Sequence, residues 1–164
     1  MPQTSTHLHL ALKLQKKINI TDSYSFLLGN AYPDQWKDSF EKSLELHYKS
    51  DPSGSCNLDE FLKDNRLNDD FNLGHYFHLW VDNEIQKIDV GDISKSDCLI
   101  YDMEIIRPAI LQLKQNSYPD KKLQAMDNIL TLESTPLPLY IPDSEKKVRY
   151  DKILEQLIRD FSQK

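Results

Sequence analysis

The residues from Asp69 to Lys87, DDFNLGHYFHLWVDNEIQK, constrain the fold more than any other stretch of the chain. Their apolar side chains, Phe71, Leu73, Phe77, Leu79, Trp80, Val81 and Ile85, go nearly all the way round a helical wheel, which predicts a central, buried helix. His75, His78 and Asp82 interrupt that apolar surface. With 3.6 residues per turn they fall within roughly 60° of one another, so two imidazoles and a carboxylate project along one line. A carboxylate taken out of water needs a partner, because desolvation alone costs on the order of several kcal/mol. A cation shared with neutral imidazoles supplies one; local hydrogen bonds across a helix interface are the alternative.

A chain of 164 residues is long enough to bury a real core without staples. With 39% hydrophobic residues, 28% charged residues and only four glycines, it reads as helical and folded. The expectation is an all-α, multi-helix bundle forming one domain over residues 1–164. Ligand-bearing helices would occupy about 1–105 and packing helices about 106–164. A net charge of −6 and a pI near 5.3 argue against a general nucleic-acid or anionic-membrane surface. No basic-then-apolar leader and no membrane-length apolar run is present in the sequence, so a cytoplasmic protein without a transmembrane segment is expected. Cys56 and Cys98 belong to no CxxC and are expected to be reduced.

Taken in order, the first helix is expected from Thr4–Thr6 to about Ile18, with His7 on the apolar face beside Leu10, Ala11, Leu14 and Ile18. His9 falls with Lys13 and Lys16 and is expected in solvent. A second, short helix starts near Asp22 and is stopped by Gly29 and Asn30; Asp34 then stands where it can cap the next helix. That helix places Trp36, Phe40, Leu44 and His47 on one stripe, which turns His47 inward. A loop over 50–57 leads to a short helix around Leu58–Asn65. After the central helix a long one runs from about Ser96 to Asn116, with Pro108 inside it. It buries Asp102, whose partner is a metal, a metal-bound histidine, a tyrosine or a helix end. A helix near Lys121–Glu133, a Pro-rich connector and an amphipathic helix carrying Val148, Ile153, Leu154, Leu157, Ile158 and Phe161 complete the chain. All five histidines lie between residues 7 and 78.

Other chemistries are excluded by pattern. There is no Gly-rich phosphate loop, no GxSxG elbow, no HExxH and no adjacent His-Asp pair, and neither cysteine has a local catalytic partner. Spaced His and Asp ligands remain. Such mixed ligation suits zinc and also iron, manganese or nickel.

The run Thr6-His7, then Phe26-Leu-Leu-Gly-Asn-Ala-Tyr-Pro-Asp34, His47, and Leu73-Gly-His-Tyr-Phe-His-Leu-Trp-Val-Asp82 resembles the zinc-dependent phospholipase C family and its single-strand nuclease relatives, in particular their small bacterial branch. The resemblance covers roughly residues 1 to 105. It implies a helical fold of that type and a metal-dependent hydrolase that cleaves a phosphoester or phosphodiester through a metal-activated water. It further implies that Asp34, His47, His78 and Asp82 form one metal centre, with Asp34 also assisting as a base, and that His7 contributes to a neighbouring one sharing Asp82. The larger phospholipases hold a third zinc through a later histidine, and this chain has none after residue 78, so one or two ions are expected. Asp102 would be a substitute carboxylate; His75, standing where the family more often has an aromatic residue, would either support the ligands from behind or serve as an opportunistic additional one. The implied substrate is a small phosphoester. A metal-stabilised, non-catalytic binding or regulatory module is the alternative.

Overall fold

The computed structural model describes residues 4–35, 39–88, 90–93, 102–103, 105–108, 110–111 and 143–164. The described elements are α1 (Thr4–Leu14), α2 (Ser23–Ala31), a tight 3-10 turn (Tyr32–Gln35), α3 (Phe40–Leu46), α4 (Leu58–Asp64), α5 (Asp70–Lys87) and α6 (Ser144–Ser162). The described residues between 102 and 111 are also helical. Among the described residues there is no strand, which is consistent with the expected all-α class.

Helix starts follow the sequence closely. Asp22, Ser39, Asn57, Asp69 and Asp143 are N-caps, each accepting a backbone N–H of the following turn, as short polar side chains do at orphaned helix donors. Asp70 accepts from the backbone N–H groups of Thr21 and Asp22, tying the start of α5 to that of α2. The capping duty considered for Asp34 belongs instead to Ser39.

Gly29 and Gly74 set the closest approach. Gly29 does not stop α2, which runs through it to Ala31. A Cβ on Gly29 would sit 1.9 Å from the carbonyl oxygen of Phe71, and one on Gly74 would sit 2.0 Å from that of Phe26. The two backbones therefore touch, which only residues without a Cβ permit. Asn30 and His78 reinforce the contact: Asn30 Nδ2 donates to Gly74 O, and His78 Nδ1 donates to Asn30 O at 2.7 Å.

Around this pair lies one apolar core. Leu8, Leu10, Ala11 and Leu14 of α1 join Phe26 and Leu27, Phe77, Trp80 and Val81, and Met103, Ile106 and Ile110, with α6 adding Leu154, Leu157, Ile158 and Phe161. Phe161 meets Phe77 and Trp80 edge-on at 4.6 and 5.1 Å between ring centres. A smaller cluster of Cys56, Phe61 and Leu79 lies beneath the loop before α4.

Several expectations are corrected. α1 ends at Leu14, and a turn carries the chain to Ile18. No residue of α3 is buried, and Phe40 is largely exposed, so the proposed stripe does not face the core; Trp36 lies outside the described residues. Val148 is exposed, and its place on α6 is taken by Tyr150. The helix near 121–133, the Pro-rich connector and Cys98 lie outside the described residues, whereas Cys56 is a buried free thiol. Among the described residues no helix is long and apolar enough to cross a membrane.

Candidate metal centre

Four segments converge on one buried space. α1 contributes His7, the 3-10 turn Asp34, the end of α3 His47, and α5 both His78 and Asp82. The side chains of His7, His78 and Asp82 are fully buried, that of His47 is 2% exposed and that of Asp34 18%. Their ligand atoms form two overlapping trios, His7 with His78 and Asp82, and Asp34 with His47 and His78, each with its atoms within 4.8 Å of one another. The resemblance implied that Asp82 is the shared residue; by distance His78 belongs to both trios, with Asp82 Oδ2 3.8 Å from His47 Nε2.

Two of the three rings, those of His78 and His47, are held by their rear nitrogens. His78 Nδ1 faces the carbonyl of Asn30, and His47 Nδ1 faces that of Ser43 at 2.6 Å. A carbonyl only accepts, so both Nδ1 atoms carry the proton and both Nε2 atoms are presented to the site. Those Nε2 atoms lie 3.3 Å apart. His7 stacks on His78 with ring centres 3.6 Å apart and points Nε2 at Asp82 Oδ1, 3.3 Å away. Neither nitrogen of His7, nor Asp82 Oδ1, makes a hydrogen bond, although all are buried. Buried polar atoms in native proteins are nearly always satisfied, so these converging atoms, with only each other within ion-pair distance, could hold a cation.

How His47 reaches the site differs from expectation. Tyr48, directly after it, adopts φ 51°, a left-handed conformation uncommon for a residue with a side chain. Lys49 N–H bonds to Leu44 O and Tyr48 N–H to Glu45 O, the pair of bonds that closes a helix in a Schellman motif, whose left-handed position is usually glycine. The reversal at Tyr48 leaves His47 and Lys49 both buried, although α3 itself lies at the surface.

Charges match a cation site. Burial works to raise Asp34 and Asp82, but the surrounding imidazoles outweigh it and hold both carboxyls below their usual range. Burial pushes His78 down to about 3, leaving a neutral imidazole, the form a metal needs. On His47 burial acts downward too, yet the hydrogen bond and charge of Asp34 prevail and raise it. Thr4 Oγ1 donates to Asp34 Oδ2 at 2.8 Å, which turns Oδ1 toward His47 and His78, 3.6 and 3.9 Å away.

The other two candidates are engaged elsewhere. His75 Nε2 donates to Leu46 O at 2.8 Å, at the end of α3, among the rings of Tyr32, Tyr48 and Phe61. It stands nearly two turns before Asp82, and the open carbonyl of α3 is nearer than the site. Asp102 belongs to a separate buried cluster: Oδ1 meets His9 Nδ1 at 2.5 Å, while Oδ2 accepts from Thr6 Oγ1 and Tyr150 OH at 3.0 and 2.9 Å. His9 is therefore buried, contrary to its expected place in solvent, because Asp102 and α6 with its Tyr150 close over that side of α1.

Two residues beside Asp82 were missed from the sequence. Lys49 Nζ lies 3.8 Å, and Cys56 Sγ 3.9 Å, from Asp82 Oδ2. Burial pushes the Cys56 thiol up to about 12, so it remains protonated. Both also line a cleft of ≈ 1180 Å³, walled by Tyr32, Tyr48, Phe71 and His75, which adjoins the five-residue set without containing it. No family model matches the chain, and neither the curated proteins nor the solved structures provide a match.

Proposed function

We propose that the protein holds one or two divalent ions, zinc foremost, on His7, Asp34, His47, His78 and Asp82, and hydrolyses a small phosphoester. The observation that carries this reading is the convergence of five His and Asp side chains whose innermost atoms, His7 Nε2 and Asp82 Oδ1, are buried without a hydrogen-bond partner. The donor set fits: two imidazoles fixed by their rear nitrogens and two ionised carboxylates suit zinc, iron, manganese or nickel. The resemblance of the His and Asp pattern to the zinc-dependent phospholipases C supports zinc and a helical fold of that type.

When bound, a divalent ion would act as a Lewis acid, activating water near neutral pH and neutralising charge that develops on phosphoryl oxygens. The chain supplies the rest. Asp34 is the most exposed of the five and faces two of the histidines, so its carboxylate is placed to orient a water. Its lowered pKa makes it a weak base and a good ligand. The rear-side carbonyls of Asn30 and Ser43 hold the histidines in their reactive tautomer.

A second reading has its own observation. Four of the five side chains are at most 2% exposed, as in a closed structural site, which favours a metal-stabilised module without catalysis. Elemental analysis of wild type and His78→Ala, followed by assay on a chromogenic phosphodiester, separates the readings. One or two equivalents lost in the variant, together with metal-dependent turnover, support the hydrolase; metal without turnover on any phosphoester supports the module. No metal after zinc or manganese is added sinks both.

A further inference from the structure

The strained turn at Tyr48 delivers a second side chain besides His47. Lys49 is buried to 1% side-chain exposure, which lysine rarely tolerates without a paired charge, and its ammonium reaches Asp82 Oδ2 at ion-pair distance. Its other boundary is the cleft. Among the described residues lining that space, Lys49 is the only cation, and Glu45, Glu60, Asp64 and Asp69 share the lining with it. The positive charge on this lining therefore stands where the cleft meets Asp82.

A left-handed non-glycine residue costs about 1 kcal/mol or more, and such conformations gather at functional sites. The motif is fastened in place: Tyr48 O accepts from Asn57 N–H, Tyr48 OH accepts from Asn65 Nδ2, and Asn83 of α5 pairs with both backbone groups of Cys56. A glycine would close the same helix without strain. Packing of Tyr48 against Phe61 and His75 supplies a reason for its side chain, and the turn beneath it fixes where the next residue points.

We propose that Lys49 is the anion-recognising residue of this site, contacting a phosphoryl oxygen of a ligand that enters from the cleft. The assignment rests on the metal-centre reading for its setting, and its chemistry is that of a preorganised ammonium aimed at phosphate. It binds the phosphoryl group of a phosphoester or inorganic phosphate alike. Asp82 anchors the ammonium meanwhile.

The test titrates inorganic phosphate into zinc-loaded wild type, Lys49→Met and Lys49→Arg by calorimetry at fixed ionic strength, after zinc per chain has been measured. Lys49→Met is expected to keep the wild-type zinc content and to weaken phosphate roughly tenfold, with Lys49→Arg within about threefold of wild type. Should the methionine variant fail to fold, Lys49→Gln replaces it. Equal phosphate affinity in wild type and the uncharged variant overturns the proposal, as does a zinc-loaded wild type that binds no phosphate. If the wild type takes up no zinc, the metal reading falls separately. Phosphate binding by the metal-free protein then decides Lys49: dependence on Lys49 sustains the assignment, and its absence overturns it.

Discussion

The Nε2 atoms of His47 and His78 face each other across 3.3 Å, each ring held from behind by a backbone carbonyl. Two neutral imidazoles so placed would direct lone pairs at one another. A proton on His47, which Asp34 favours, relieves this in the absence of metal. A cation relieves it better, because it engages Asp34, Asp82 and His7 together.

Zinc should therefore stabilise the fold. At free zinc a hundredfold above its dissociation constant, mass action gives about 2.7 kcal/mol. For a chain of this size that corresponds to a rise in Tm of roughly 5–10 °C, reversed by chelation. Asp82→Asn should lose most of the rise, and scanning calorimetry with and without zinc reads it directly.

Gly74→Ala is expected to be among the most damaging small substitutions in the protein. The new methyl group would meet backbone of α2, not a side chain that can rotate aside. The helices must separate, at a cost of about 3 kcal/mol, and the bond from His78 to Asn30 O must lengthen. Urea denaturation gives the first effect. A loss below ~0.5 kcal/mol would show that the helices are not in contact there.

Asp102→Asn and Tyr150→Phe should separate stability from metal content. Either change breaks the buried cluster with His9 and Thr6, and each is expected to cost about 1–3 kcal/mol. Zinc per chain should stay at the wild-type value in both. A variant that folds but has lost its zinc would make Asp102 part of the centre after all.

His75 should make the protein acid-sensitive. Burial pushes its imidazole down from 6.5 to about 4. The unfolded chain accepts this proton below about 6.5 and the folded one does not, so its contribution is intact above that pH. It declines by about 1.4 kcal/mol per pH unit as pH falls and levels off near 4. His78 has the same sign, whereas His47, raised in the folded state, contributes in the opposite sense. His75→Gln should therefore lose about 3 kcal/mol less than wild type between pH 6.5 and 4. Unfolding curves with the same pH dependence in both proteins would refute the assignment.

The central helix was legible because it is written in one contiguous stretch. Its apolar residues, cap and ligand spacing depend only on local sequence, and His78 and Asp82 lie where the wheel put them. His7 was legible for the same reason. His9 was misread because its partners stand 93 residues away at Asp102 and, through Asp102, at Tyr150. Periodicity on one helix cannot show that two others cover its far side. His47 reached the interior by a route the wheel did not contain, since nothing in LELHYKS marks Tyr48 as left-handed. For that reason Lys49 was also invisible. The His75 wheel position was right in angle, but helical angle takes no account of height along the axis, and one open carbonyl at the end of α3 captured the ring.

The contact at Gly29 and Gly74 has a bearing on how such a chain can drift. Side chains in a core may be exchanged and repacked, and distances measured through them shift by fractions of an ångström. Peptide units keep the same dimensions in every sequence. Where α2 and α5 meet peptide against peptide, the spacing between Asn30 and His78 is inherited from those fixed dimensions. Surrounding leucines and phenylalanines are then free to vary while the gauge of the pocket stays constant, and two hydrogen atoms in place of two methyl groups are what guarantee it.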